Sequence, residues 1–181
     1  MIKLLAISGS LRQFSSNTAL LRAAAILAPQ NVKISIYQDL SRLPHFNPDL
    51  EGFEPQSVMD LRSQLRMADG IVIASPEYAH GIPGVMKNAL DWVVGSGEFV
   101  HKPVALLNAS FRAIHAQDSL REILKTMDAA IVPEASKIIP LPNNKINEAG
   151  IIANPELSSL LHFAIVALAC YIKPEICSST L

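Results

Sequence analysis

Short apolar runs alternate with longer amphipathic segments along this chain, and no other feature restricts its fold as strongly. Residues 3–8 (KLLAIS), 32–37 (VKISIY), 70–75 (GIVIAS) and 103–108 (PVALLN) read as strands. Three of the four are almost continuously hydrophobic, as strands covered on both faces must be. Between them, residues 17–27, 56–67, 84–94 and 116–127 carry apolar side chains at helical spacing. Leu20, Leu21, Ala24 and Leu27 form the stripe of the first, and Leu120, Ile123, Leu124 and Met127 that of the fourth. A fifth helix is predicted from Pro155, a favourable first-turn residue, to Tyr171. A last strand is expected over 130–132, continuing irregularly toward Ile138 and Ile139. Residues 141–155 (LPNNKINEAGIIANP) read as a long surface loop.

Strand–helix alternation of this kind predicts an α/β fold with a parallel sheet and right-handed crossovers. An eight-unit barrel needs roughly 250 residues, and 181 are present. The expected architecture is therefore a doubly wound, five-stranded parallel sheet with helices on both faces, one domain over residues 1–181. Half the residues are hydrophobic, enough for one sizeable core. In such sheets ligands bind where strands end and helices begin, at the point where strand order reverses.

A net charge of −1 gives no general attraction to nucleic acid or to an anionic membrane. The most apolar stretch, 157–172, falls about two residues short of the ~18 of a spanning helix and contains His162. A core or subunit-interface helix is expected there. No targeting segment is visible, which points to the cytoplasm. Cys170 and Cys177 form no C-x-x-C and read as a buried helix thiol and a free tail thiol in a reducing compartment.

Two loops carry candidate chemistry. The first strand runs into Gly9-Ser10-Leu11-Arg12-Gln13-Phe14-Ser15-Ser16-Asn17-Thr18. Its hydroxyls, the Asn17 amide, the Arg12 cation and the orphan N–H groups of the next helix together suit an anion. Ser15 or Ser16 can equally serve as the helix cap, since both uses share that end of the helix. Neither G-x-G-x-x-G nor G-K-[ST] is present. The third strand leads into Pro76-Glu77-Tyr78-Ala79-His80-Gly81-Ile82-Pro83-Gly84, where two prolines and two glycines define an unusual backbone path. Such a loop either lies along a flat ligand or is simply a rigid connection. Lone Glu77 and His80 are read as loop side chains rather than as an acid–base pair or metal ligands. No catalytic side chain and no metal ligand is assigned.

G-S-L-R-x-x-S-x-N after the first strand, with P-E-Y-x-x-G-x-P-G-x-x-K-N-A-x-D-W after the third, resembles the NADPH-dependent FMN reductases, a flavodoxin-like family of quinone, azo-dye and chromate reductases. The resemblance extends from Lys3 to about Pro133. It implies FMN as cofactor and NADPH or NADH as co-substrate. By the same resemblance, Ser10, Arg12, Ser15, Asn17 and Thr18 bind the phosphate of FMN. Pro76, Glu77, Tyr78 and Ala79 lie along its ring, chiefly through backbone groups, and Ser110 matches a serine near the flavin. Ala79 stands where many relatives have Asn, and residues 109–116 (ASFRAIHA) lack their Gly-Gly pair and are shorter. Arg112 there is either a cation for a substrate or a plain surface arginine. Lys87-Asn88-x-x-Asp91-Trp92 is assigned to helix packing or dimer contacts.

The activity implied is a two-step relay from NAD(P)H to bound FMN and on to a small quinone-like, azo, metal-oxyanion or free-flavin acceptor. The implied assembly is a homodimer or homotetramer. An electron carrier or a regulatory protein on the same fold is the alternative; a hydrolase lacks a base beside Ser10.

Overall fold

The computed structural model describes residues 1–143 and 145–175. Six strands form one parallel sheet: β1 (Ile2–Ser8), β2 (Val32–Ile36), β3 (Gly70–Ala74), β4 (Pro103–Asn108), β5 (Ala130–Ile131) and β6 (Lys137–Ile138). The order is β2-β1-β3-β4-β5, with β6 also on β4. β5 pairs with Pro103 and Val104, and β6 with Leu107 and Asn108, so the two are halves of one fifth position. Between them the chain turns away through residues 133–136, closed by Ser136 N–H on Val132 O at 3.0 Å. The Leu106 N–H, left without a strand partner there, donates to Ser136 Oγ at 3.1 Å. This is the five-position parallel sheet expected from the sequence, irregular where 130–139 was expected to be irregular.

The helices are α1 (Ser16–Leu27), α2 (Gln56–Met67), α3 (Gly84–Val94), α4 (Ile114–Thr126), α5 (Glu148–Ala153) and α6 (Pro155–Ile172). Alternate strand residues divide between two cores, as the period of two requires. Leu4, Ala6, Val72, Ala74, Ala105 and Leu107 meet α1, α5 and α6. Leu5, Ile7, Ile71, Ile73, Val104 and Leu106 meet α2, α3 and α4. Helices therefore cover both faces, and the continuous hydrophobicity of the strands has its cause. On the α1 face the strands contribute alanines, which lets α1 and α6 approach the sheet closely.

At 18 residues, α6 is long and apolar enough to cross a membrane by length and composition. Its buried stripe, Leu157, Leu161, Ala164, Ile165 and Leu168, is committed to the core on the α1 side. Residues 141–155 are not a continuous loop. They hold α5, whose cap Asn147 accepts the Gly150 N–H at 2.9 Å and whose Ile151 is fully buried. Two turns with one buried apolar position leave almost no periodic signal. Asn154 then caps α6 by accepting the N–H groups of Glu156 and Leu157. Cys170 is half-buried and disulfide-bonded, which corrects the reading of an unpaired helix thiol; Cys177 lies outside the described residues.

Tyr37, just past β2, is buried and its hydroxyl has no hydrogen-bond partner among the described residues. Burial, with Asp39 and Asp60 adding to it, pushes its pKa from 10.0 up to about 12. A folded-state pKa above the unfolded value gives stability that is complete below pH 10 and is lost as pH rises toward 12. Tyr37→Phe is expected to remove on the order of 1 kcal/mol of that alkaline loss by pH 11 while leaving neutral-pH stability unchanged or slightly raised. Urea unfolding at neutral pH and near pH 11 measures both. An equal alkaline loss in parent and variant assigns it to other groups.

Candidate functional site

In the order β2-β1-β3 the chain reverses direction of winding between β1 and β3, so their carboxyl ends border the switch-point crevice. Gly9 lies at this junction, its N–H donating to Ala74 O at 2.9 Å. A Cβ on Gly9 would come within 2.9 Å of Ser75 Cβ and 3.2 Å of Ser75 Cα, so any side chain here would force the two loops apart. The residue that the motif begins with is required by this close approach.

Beyond Gly9 the loop folds around its own serines. Ser8 Oγ pairs with Thr18 Oγ1 at 2.8 Å and accepts the Ser10 N–H at 3.3 Å. Ser10 Oγ accepts the Arg12 N–H at 3.4 Å. Ser15 is the cap of α1, its Oγ accepting the Thr18 N–H at 3.4 Å, and not Ser16. The N–H groups of Ser16 and Asn17 then have no intrahelical acceptor, as in the first turn of any helix. Both residues line a cavity of about 620 Å³. Asn17 is buried, and its Oδ1 has no partner among the described residues.

The loop after β3 closes as a two-residue hairpin. Tyr78 and Gly81 exchange N–H···O bonds, each 3.0 Å, and Ala79 and His80 between them have φ of 49° and 58°. Turns of this type favour Asn-Gly because both central residues are left-handed. Ala79 and His80 sit there at a cost of about 1 kcal/mol each, and Asn would suit that backbone better than Ala79 does. Glu77 turns its carboxylate away from solvent: Oε2 accepts the Ala116 N–H at 2.9 Å and Oε1 lies 3.4 Å from His80 Nδ1. The His80 ring meets His115 edge-to-face at 4.7 Å. Glu77 thus ties the β3 loop to the first turn of α4. No group of three or more His, Cys, Asp or Glu among the described residues could hold a metal ion.

The loop after β4 wraps around one side chain. Asn108 Oδ1 accepts the Ser110 N–H at 3.0 Å, and its Nδ2 donates to Ala113 O at 3.3 Å. Ser110 Oγ in turn accepts the Arg112 N–H at 3.1 Å. This closed loop lets α4 begin at Ile114, two residues before the expected start.

Asn17, Pro76, Glu77 and Ser110 come together on the wall of the 620 Å³ cavity, where Arg112 joins them. Ser10, Ser15 and Thr18 are next to it along the chain, bonded within the loop's own network. Arg12 and Tyr78 line a separate recess of about 500 Å³, and Ala79 is at the hairpin tip. Sequence reading passed over Asn108 and Ser75, although a buried polar residue closing an apolar strand is a visible signal. Leu141, Pro142 and Asn143 also border the cavity; nothing local marks them.

The K-N-A-x-D-W segment is structural. Asn88 Nδ2 and Trp92 Nε1 both donate to Pro44 O, at 2.9 and 2.7 Å, and Asn88 Oδ1 accepts the Phe46 N–H at 2.8 Å.

Comparison with known proteins places the chain in a family. The family model for NADPH-dependent FMN reductase matches residues 2–141. A Pseudomonas aeruginosa NAD(P)H-dependent FMN reductase is 35% identical over 179 residues, covering 95% of this chain and 96% of the relative. A 2-hydroxy-1,4-benzoquinone reductase from a Burkholderia species is 30% identical over 178 residues, covering 95% and 97%. Among solved structures, the Paracoccus denitrificans flavoenzyme FerB, an NAD(P)H:(acceptor) oxidoreductase, superposes with a TM-score of 0.80 at 24% identity, covering 96% of this chain and 98% of that one. The flavodoxin-like fold is shared, and the chain belongs to the NADPH-dependent FMN reductase family.

Proposed function

We propose that this chain, as one domain, uses FMN to oxidise NAD(P)H and delivers the electrons to a small quinone-like acceptor. Azo, metal-oxyanion and free-flavin acceptors belong to the same chemical reach. The observation that carries the reading is the set of donors left open at the end of α1. Within the described loop, Ser10 Oγ and Ser15 Oγ act only as acceptors, so both O–H groups remain free to donate. With the first-turn N–H groups of α1 and the Arg12 guanidinium, they match a terminal phosphate. The unpartnered Asn17 amide suits either a ribityl hydroxyl or, turned over, a phosphate oxygen. A cavity of about 620 Å³ is of the size that takes a cofactor of this class.

When bound, FMN supplies hydride acceptance from the nicotinamide and hydride donation to the second substrate. Ser10, Arg12, Ser15, Asn17 and Thr18 hold the phosphate end. Pro76, Glu77, Tyr78 and Ala79 present backbone to the ring, and the Glu77 carboxylate keeps that loop docked on α4. Ser110 borders the opposite wall, and Arg112 offers a cation to an anionic co-substrate. Leu11, Phe14, Tyr78, Phe111 and Ile114 are exposed apolar side chains on these loops, which supports assembly as a homodimer or homotetramer.

Donor and acceptor use one cleft in turn, so initial rates with NADPH and benzoquinone should give parallel double-reciprocal lines. FMN-loaded protein should bleach on anaerobic NADPH addition and recolour on adding benzoquinone. Intersecting lines would remove the shared cleft, and absence of bleaching would leave a carrier or regulatory protein.

A further inference from the structure

Folding turns two side chains that read as separate loop residues, Glu77 and His80, into a pair. The Glu77 carboxylate is only 14% exposed and is fixed from one side, Oε2 accepting the Ala116 N–H at 2.9 Å. Helix α4 has no side-chain cap of its own, so the donor that holds Glu77 is an orphan N–H of its first turn. Oε1 is left facing His80 Nδ1 at 3.4 Å, within ion-pair distance. The His80 ring is steadied from a second direction by His115, the two rings meeting at 88°. Its Nε2 has no partner among the described residues, and 79% of the side chain is open to solvent. A carboxylate on Nδ1 with Nε2 left free is the arrangement that aims an imidazole for proton transfer. His101 and Asp128 come as close, at 3.2 Å, but Asp128 is 66% exposed and the pair stands at the amino end of β4, away from the cleft.

We propose that His80 is a catalytic acid that protonates the quinone as it is reduced, with Glu77 as its positioning residue. The proposal rests on the flavin reading above. His80 lies three residues after Glu77 and His115 two after Ala113, and both Glu77 and Ala113 line the 620 Å³ cavity, so the pair adjoins that cleft. A quinone becomes a hydroquinone by gaining one hydride and one proton. The hydride brings both electrons from the cofactor and leaves an oxyanion on the acceptor. The Nε2–H bond of the His80 imidazolium then breaks as an O–H bond forms on that oxygen. Neutral His80 keeps its remaining proton on Nδ1, against Glu77, and regains the lost one from solvent, which its exposure allows.

FMN-loaded protein is reduced with stoichiometric dithionite, in the absence of NADPH. Its anaerobic reoxidation is followed by stopped flow with benzoquinone or with ferricyanide, which takes up electrons and no proton. His80→Asn removes the imidazole while suiting the left-handed backbone at that position, so the fold is kept. The variant is expected to reoxidise at least roughly tenfold more slowly with benzoquinone, and within about twofold of the parent with ferricyanide. A second readout is independent of turnover. Nitrogen NMR of the neutral ring should find the His80 proton on Nδ1 in the parent and on Nε2 in Glu77→Gln, whose amide N–H2 turns toward Nδ1 while its oxygen keeps the Ala116 N–H. The proposal is overturned by equal slowing with both oxidants, by benzoquinone rates within about twofold of the parent, or by a His80 ring proton on Nε2 in the parent. A parent that takes up no FMN removes the flavin reading and the proposal with it. A parent that bleaches and recolours as expected, with His80→Asn behaving alike, removes the proposal alone.

Discussion

Ser15→Asp is expected to weaken FMN binding by more than ~10-fold while leaving the apoprotein about as stable as the parent. Ser15 caps α1 with its Oγ on the Thr18 N–H at 3.4 Å, and it is buried in the loop assigned to the phosphate. A carboxylate ~4 Å from one phosphate charge costs roughly 4 kcal/mol at an effective dielectric near 20, and half of that already exceeds tenfold. The helix itself has no reason to suffer, because aspartate caps as well as serine and its charge suits the positive end of the helix dipole. Thermal melts of apo and FMN-loaded samples separate the two effects: FMN should raise the melting temperature of the parent and not that of the variant. Binding within about twofold of the parent would show that Ser15 caps the helix without touching the phosphate.

Asn88→Ala is expected to do the opposite, lowering stability by about 2–4 kcal/mol with FMN affinity unchanged. The Asn88 amide holds the 44–46 segment at both ends, donating to Pro44 O and accepting from the Phe46 N–H. Alanine removes both bonds and strands a half-buried backbone donor, the more costly of the two losses. Trp92 Nε1 still donates to Pro44 O, so the segment should loosen rather than detach. For a chain of this size the change corresponds to a fall in melting temperature of roughly 5–15 °C. Urea titration gives the stability and a flavin titration the affinity. A drop in FMN affinity at unchanged stability would move the motif from the packing of α3 into the cofactor site.

These two substitutions lie in the two motifs that carried the family resemblance, and the structure separates their purposes. Around β1 the relation is mostly local: the serines and the helix cap are within one strand–loop–helix unit and their bonds span ten residues at most, while Gly9 alone reaches across the sheet to Ala74 O. Asn88 and Trp92 act on a segment 42 to 48 residues earlier, a relation visible only once the chain is folded.

The same division runs through the whole chain. Strand and helix positions were legible because burial on one or both faces imposes a period on neighbouring residues, as in Leu4 to Ile7 or Leu157 to Leu168. The capped loop before α1 was legible because its residues are consecutive. Helix α5 was not, since a two-turn element with one fully buried side chain, Ile151, carries no period to read. Nor was the task of Glu77, whose carboxylate accepts an N–H 39 residues further on, or the closure of the loop after β4 around the Asn108 amide. Local side-chain chemistry and periodicity determined the elements and the first loop. Which loops share a wall, which polar groups are already engaged, and which remain open to a ligand were decided by tertiary packing, because hydrogen-bond partners are chosen by proximity in space rather than along the chain.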